Sequence, residues 1–226
     1  MKKDSVPSFT KPVVTRATPE TLIRVLVVDD HPSMRMGLTA LINGQPGMEV
    51  VAEASDGEEA IEVFEDVQPD VVLMDLRMPG LGGVEATLAI LKKSPDARII
   101  ILSTYDWDED IHLAIQSGAK SYLLKDTSVE DIAYTIHRVH EGDKTLSEQV
   151  EKRLAERLQR EQLTEREREV LESLIKGRSN KEIATSLFIS EQTVKSHLKT
   201  LFAKLNVSDR TEAAVAAIRH GIVHLD

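Results

Sequence analysis

Four short apolar runs in the first half of the chain each end at polar residues, and this pattern constrains the fold more than any other. The residues that follow the runs are Asp29 with Asp30, then Asp75, Ser103 and Lys125. If the runs are parallel strands, their carboxyl ends lie at one rim of a sheet, which is where open α/β folds bind ligands. We therefore expect three carboxylates, a hydroxyl and an ammonium to meet at one site.

The segments between the apolar runs have the periodicity of amphipathic helices. Apolar residues recur three or four positions apart, as at Met34 and Leu38 in the first segment and at Ile132 and Ile136 in the last. A further apolar run at 49 to 53 gives five strand and helix units in all. Strands that are apolar throughout are buried on both faces, and right-handed crossovers then place helices on each side of a parallel sheet. The pattern predicts an α/β domain with a five-stranded parallel sheet.

The residues expected at the rim suit a magnesium ion and a phosphoryl group. Neighbouring carboxylates do not ionise together without cost, so the cluster either shares protons or binds a cation. Mg²⁺ prefers hard oxygen ligands, usually one or two carboxylates together with phosphate oxygens. Asp75 would then act as a nucleophile toward a phosphoryl donor. Lys125 and the metal would neutralise the transferring oxygens, and Ser103 would donate a hydrogen bond to one of them.

Composition limits the compartment and the number of domains. A chain of 226 residues with 41% apolar content can bury one large core or two small ones. It has no apolar run long enough to span a membrane, and we expect no membrane contact. The absence of cysteine excludes disulfides and thiolate metal sites and favours the cytoplasm. Residues 1 to 21, which contain three prolines and no apolar signal segment, are expected to form a disordered leader.

Charge is divided unevenly along the chain. Residues 1 to 143 carry a net charge of −12, whereas residues 144 to 226 carry +2. Surface variation alone can produce such a difference, but the asymmetry favours two domains with different partners. We place the first domain at 22–143, a helical linker at 144–162 and the second domain at 163–226.

The linker sequence predicts one helix with a narrow apolar stripe. Residues 147 to 162 are rich in good helix formers and contain neither proline nor glycine, and Val150, Leu154 and Leu158 recur every four residues. Two heptads are too few to specify a coiled coil, so we expect this helix to pack against its own domains.

The second domain is predicted to contain three helices. Thr164 and Glu167 form a capping-box pattern at the start of the first, Asn180 begins the second, and Ser190 caps the third. The third has an apolar stripe on one face and a polar, basic face opposite. The candidate DNA-binding residues are Gln192, Thr193, Lys195, Ser196 and Lys199. Two short helices with such an outer face are typical of a helix-turn-helix, although periodicity alone also allows a solvated helix in a small bundle.

The first domain resembles the receiver domain of bacterial two-component response regulators over roughly residues 24 to 142. The resemblance rests on the segments at 27–31, 72–80, 102–104 and 118–126. It implies a flavodoxin-like fold in which Asp75 accepts a phosphoryl group from a phosphohistidine on a sensor histidine kinase.

The resemblance also implies roles for the other rim residues. Asp30, Asp75 and the backbone carbonyl of Arg77 would hold Mg²⁺, with Asp29 acting mostly through water. Ser103 and Tyr122 would be the hydroxyl and aromatic pair that rearranges on phosphorylation. Such a protein is not an enzyme with turnover but a stoichiometric phosphoacceptor with at most slow self-dephosphorylation.

The second domain is similar to the LuxR-type DNA-binding domain in the segments at 163–167, 177–184 and 193–197. A receiver followed by this all-α helix-turn-helix domain is the arrangement of the NarL/FixJ response regulators. The resemblance implies a transcription regulator that forms a homodimer on phosphorylation and binds a double-stranded DNA operator, with RNA polymerase as a further partner.

Other protein classes fit the sequence less well. A haloacid-dehalogenase phosphatase needs a second aspartate two residues after the nucleophile, and that position is Arg77. A dinucleotide binder needs a glycine-rich turn after the first strand. An autoinducer-binding LuxR protein lacks the acid triad. A phosphorylation-independent regulator, whose receiver only docks partners, stays open as the alternative.

Two bulky residues are expected at the mouth of the phosphoryl site. Arg77 lies two residues after the nucleophile, and Tyr105 lies two residues after Ser103. Large side chains at these positions would hinder the approach of hydrolytic water and lengthen the lifetime of the phosphoryl group.

Overall fold

The structure is a computed structural model that describes residues 22 to 223, so the leader predicted for residues 1 to 21 lies outside the described residues. Five parallel strands form one sheet in the order β2-β1-β3-β4-β5. The strands are β1 (Ile23–Val28), β2 (Met48–Ala54), β3 (Val71–Asp75), β4 (Ile99–Ser103) and β5 (Ser121–Leu124). The predicted parallel sheet is confirmed.

Helices cover both faces of this sheet. The helices of the first domain are α1 (Pro32–Asn43), α2 (Gly57–Val67), α3 (Gly83–Lys93), α4 (Asp108–Gln116) and α5 (Val129–His140). One buried cluster joins the sheet to α2, α3 and α4 through Phe64, Ile90 and Ile111. The other joins the sheet to α1 and α5 through Ile42 and Ile136. Because both faces are buried, the strands need no alternation of polar and apolar residues.

The register of the strands brings their polar ends to one rim. Val28 pairs with Met74, so Asp29 follows β1 beside the end of β3. On the other side of β3, Asp75 pairs with Leu102, and Ser103 pairs with Leu124 at the edge strand. The residue that completes β3, Asp75, therefore lies at the centre of the rim.

Gly83 allows α3 to begin directly against the end of β3. Its backbone amide donates a hydrogen bond to the carbonyl oxygen of Leu76 at 3.0 Å. A Cβ at this position would overlap the carbonyl oxygen of Asp75. Only glycine fits this close approach of helix to strand.

The linker forms α6 (Glu148–Gln159), which packs on α4. Val150 is buried in the same cluster as Tyr122, and Leu154 packs against that cluster. The prediction that Leu158 completes the apolar stripe is wrong, because its side chain is 67% exposed. The buried residue of that turn is Arg157, whose guanidinium pairs with Glu109 on α4. The end of the linker is therefore held by charge and not by apolar packing.

Up to residue 223, where the described structure ends, the second domain contains four helices around its own buried core. They are α7 (Glu165–Ile175), α8 (Asn180–Leu187), α9 (Glu191–Leu205) and α10 (Arg210–Arg219). Val170, Val194, Leu198 and Leu201 are among the core residues. Thr164 caps α7 in a complete capping box with Glu167, as the sequence predicts. The fourth helix, α10, was not predicted.

Glu167 stabilises the second domain through two contacts. Its carboxylate accepts hydrogen bonds from the Thr164 amide and from the Lys204 ammonium, each at 2.8 Å. Burial acts to raise the pKa of this carboxyl, but the bonds to Lys204 and Thr164 outweigh burial and lower the pKa. The ionised form is therefore the one that the fold stabilises.

We predict that Glu167→Gln lowers the free energy of unfolding by about 1 to 2 kcal/mol at pH 7. A lowered pKa in the folded state stabilises the protein above the unfolded value of 4.5, and this stabilisation is lost as pH falls through the folded pKa. The difference between wild type and variant, measured by urea denaturation, should therefore shrink between neutral and acid pH. Glu172→Gln, an exposed change on the same helix, is the control. An equal difference at both pH values would contradict the prediction.

Candidate functional site

The rim of the sheet brings together the ionisable residues that the sequence predicts there. The Lys125 ammonium lies 2.6 Å from Oδ2 of Asp75 and 2.7 Å from Oδ2 of Asp29. Asp29 is also fixed by its Oδ1, which accepts a hydrogen bond from the His31 amide at 2.9 Å. Lys125, which follows the edge strand β5, thus reaches across β4 to Asp75 at the end of the central strand, because all these strands end at the same level.

Burial sets the electrostatics of this site. Asp29 and Asp75 are 1% and 4% exposed. Burial raises the pKa of Asp75, and the neighbouring Asp29 acts in the same direction against the effect of Lys125. Burial acts to lower the pKa of Lys125, but its bonds to Asp29 and Asp75 prevail and raise it. One ammonium faces two buried carboxylates, so the site has excess negative charge and favours a further cation.

Four side chains at the rim could share a metal ion. Asp29, Asp30, Asp75 and His31 each offer a ligand atom, and these atoms lie within 4.8 Å of one another. Three hard carboxylates fit Mg²⁺. His31, whose Nδ1 lies 2.7 Å from Oδ1 of Asp30, was not predicted as a ligand, although its position directly after the acid pair was a usable signal. The predicted role of the Arg77 carbonyl stays a prediction.

Ser103 and Tyr122 both contact the loop that follows β4. Oγ of Ser103 accepts a hydrogen bond from the Tyr105 amide at 3.2 Å. The hydroxyl of Tyr122 donates to the Tyr105 carbonyl oxygen at 2.8 Å, and its ring is fully buried. Burial raises the pKa of Tyr122, so the hydroxyl is neutral. Tyr122 already points inward here, and its predicted role as a switch stays a prediction.

The Arg77 side chain turns toward α4. Its guanidinium pairs with Asp110 at 2.7 Å, and the guanidinium carbon lies 4.9 Å and 4.5 Å from the ring centres of Tyr105 and Trp107. The two rings stack with their centres 4.1 Å apart. Arg77 and Tyr105, both predicted to tune the phosphoryl lifetime, therefore belong to one packed group. Trp107 and Asp110 belong to the same group, and neither was predicted as a site residue.

The predicted DNA-binding residues share one exposed face of α9. The buried face carries Val194, Leu198, Leu201 and Leu205, which fixes the orientation of the helix. The exposed residues opposite are Gln192, Thr193, Lys195, Ser196 and Lys199. A polar and basic helix face that is free of contact with its own core can enter a DNA groove, and contact with DNA stays a prediction.

Among residues 22 to 223, none of the helices is both long enough and apolar enough to cross a membrane.

Two family models match the chain. Residues 25–137 match the response regulator receiver domain, and residues 161–217 match the bacterial regulatory proteins of the luxR family. The rim site lies in the first match and the exposed face of α9 lies in the second.

Similar proteins cover nearly the whole chain. The transcriptional regulatory protein LiaR of Bacillus subtilis is 42% identical over 211 residues, which is 90% of this chain and 100% of LiaR. The response regulator protein VraR of Staphylococcus epidermidis is 38% identical over 206 residues, 89% of this chain and 99% of VraR. The crystal structure of the response regulator ChrA, from a heme-sensing two-component system, shares 39% identity at a TM-score of 0.55 and covers 90% of this chain and 100% of ChrA. The chain therefore belongs to the two-component response regulators in which a receiver domain precedes a LuxR-type DNA-binding domain.

Proposed function

We propose that Asp75 accepts a phosphoryl group from a sensor histidine kinase and that the phosphorylated chain binds an operator as a homodimer. The observation that carries this proposal is the buried contact of Lys125 with Asp75 and Asp29 at the central rim of the sheet. A carboxylate held beside an ammonium, at the open end of a parallel sheet, is placed to receive a group that carries negative charge.

The transfer is a substitution at phosphorus. An Asp75 carboxylate oxygen forms a bond to phosphorus while the bond from phosphorus to the donor histidine nitrogen breaks, which leaves an acyl phosphate. The Lys125 ammonium pairs with a phosphoryl oxygen, and the Ser103 hydroxyl donates to another. Asp30, Asp75 and the Arg77 carbonyl, with Asp29 through water, would hold Mg²⁺, which when bound supplies positive charge for the same oxygens.

The phosphoryl group on Asp75 controls DNA binding. The chain acts in the cytoplasm as a stoichiometric phosphoacceptor and loses phosphate slowly by its own chemistry. The phosphorylated dimer binds double-stranded DNA through α9 and contacts RNA polymerase. Exposure of the basic face of α9 supports the DNA contact, and the similarity to LiaR, a transcriptional regulatory protein, and to VraR, a response regulator, agrees with it.

We predict that Asp75→Asn folds but does not incorporate phosphate, because the amide is not a nucleophile. Wild type and variant are incubated with radiolabelled acetyl phosphate and Mg²⁺. Before and after this incubation, we measure binding to a DNA duplex that was selected with the wild-type chain. Only wild type should gain both label and affinity. Asp70→Asn, a carboxylate outside the rim site, is the control. Stoichiometric label in Asp75→Asn would contradict the site, and equal affinity with and without phosphate would favour a phosphorylation-independent regulator.

The face of α9 gives a second prediction. Lys195→Ala and Lys199→Ala should each weaken DNA binding, and a lysine that contacts only phosphate should reduce the salt slope by about 1. Lys195 and Ser196 are expected to face bases. Val194→Ala should instead lower stability by roughly 1 to 3 kcal/mol, because its side chain is fully buried. Fluorescence anisotropy at several salt concentrations measures binding, with the exposed linker change Lys152→Ala as control. Unchanged affinity in the double lysine variant would rule out this face.

The packed group around Arg77 gives a third prediction. The Arg77→Ala, Tyr105→Ala double variant should lose phosphate several-fold faster than wild type, a change of about 1 kcal/mol or less in the barrier. The Arg77 and Tyr105 side chains are 32% and 41% exposed in the loops that follow β3 and β4, and from there they would restrict access of water. Phosphate release from purified phosphoprotein in Mg²⁺ buffer measures the rate. Equal or slower release would count against a shielding role.

A further inference from the structure

The first turn of α4 contains three consecutive acids that are all buried. Asp108, Glu109 and Asp110 are 4%, 5% and 4% exposed. A buried carboxylate requires a hydrogen-bonded cation, since an unpaired charge in the interior costs several kcal/mol. The positive end of the helix dipole favours acids in this turn but does not balance three of them. The cations must come from other elements.

Those cations come from three other parts of the chain. From the linker, Arg160 pairs with Asp108 and Arg157 pairs with Glu109. From the second domain, the cation is Arg168, which lies 3.4 Å from Glu109, and the His220 ring lies 3.5 Å from Asp108. From the loop after β3, Arg77 pairs with Asp110 at 2.7 Å. The acid turn therefore joins the receiver, the linker and the second domain.

Backbone and apolar contacts reinforce this junction. The Glu109 amide donates a hydrogen bond to the His220 carbonyl oxygen at 3.2 Å. Gly221 follows with a φ of 68°, and a Cβ there would lie 2.9 Å from Cβ of Trp107. The end of α10 thus rests on Trp107, the residue that caps α4 and stacks on Tyr105.

The junction does not cover the predicted recognition face. Lys195, Ser196 and Lys199 are exposed, although each acid of the turn has a cationic partner. What the junction fixes is the position of the second domain relative to the receiver. A restraint of this kind limits how two chains align their second domains on a two-fold operator, without blocking the DNA contacts themselves.

We propose that the acid turn of α4 is a latch between the domains and that the Arg77 side chain releases it. The proposal rests on phosphorylation of Asp75. A phosphoryl group adds roughly two negative charges close to Arg77 and competes with Asp110 for the guanidinium. Once Arg77 turns away, Asp110 loses this partner beside two other buried carboxylates, and their repulsion weakens the contacts of the turn with Arg157, Arg160 and the end of α10.

The test measures the distance between the domains. Because the chain has no cysteine, the exposed changes Lys92→Cys and Lys176→Cys give two unique spin-label positions, one in each domain. Electron–electron double resonance on the full chain reports the distance distribution. The chain that carries both labels and no other change is called the labelled parent. Without phosphate, it should show a single short distance between the labels. Arg77→Gln and Arg157→Gln should each raise the fraction of molecules with a longer distance several-fold. Arg138→Gln, which removes exposed ion pairs on α5, should leave the distribution unchanged.

A second change separates release from general damage. Asp110→Asn removes the charge that Arg77 balances, so it should restore the short distance in the Arg77→Gln background. Far-ultraviolet circular dichroism verifies folding of each variant. The latch is overturned if Arg77→Gln keeps the distribution of the labelled parent, or if Asp110→Asn does not restore the short distance.

Acetyl phosphate with Mg²⁺ separates failure of the latch from failure of the proposed function. Incorporation of phosphate and the distance distribution are measured on the same sample. Incorporation with a several-fold larger long-distance fraction supports the latch, whereas incorporation with an unchanged distribution overturns it. If no phosphate enters, the proposed function and its link to the latch both fail, and the phosphate-free variants still decide whether the acid turn holds the domains together.

Discussion

The contact of the Lys125 ammonium with the carboxylates of Asp75 and Asp29 is the interaction on which the rest of the structure depends. It spans four strands of the sheet, from β5 to β1, and it compensates the charge of two buried acids. The contact exists only because β1, β3, β4 and β5 end at one level. The same compensation is incomplete, since two buried acids and the adjacent Asp30 face one ammonium, and this excess negative charge favours a further cation at the rim.

A second cluster of buried charge lies at the start of α4, and Arg77 connects it to the first. The backbone amide of Arg77 donates to Oδ1 of Asp75 at 3.3 Å, while its guanidinium pairs with Asp110. Both clusters keep carboxylates buried by pairing them with cations from distant parts of the chain. Such pairs add little net stability, but losing one partner leaves an uncompensated buried charge that destabilises the protein. They therefore suit a contact that has two states.

The sequence predicted the elements whose burial is complete and regular. The strands that end at Asp75 and Ser103 are apolar throughout, and the stripe of α9 follows helical spacing, so their faces were predictable. Helix α10 was not identified, because its buried residues Ala213 and Ala217 are small and give a weak pattern. The partners of Glu109 were not predictable, since Arg157 and Arg168 reach it only through the relative position of two domains, which no local periodicity encodes.

The Glu109 amide reports most directly on whether the rim controls the second domain, because its hydrogen bond to the His220 carbonyl crosses the junction. Hydrogen–deuterium exchange of the full chain is measured with and without acetyl phosphate and Mg²⁺. We predict faster exchange in the first turn of α4 and at the end of α10 in phosphorylated wild type, and no change in Asp75→Asn. Altered exchange confined to the loops at the rim, with the α4 turn unchanged, would contradict the account.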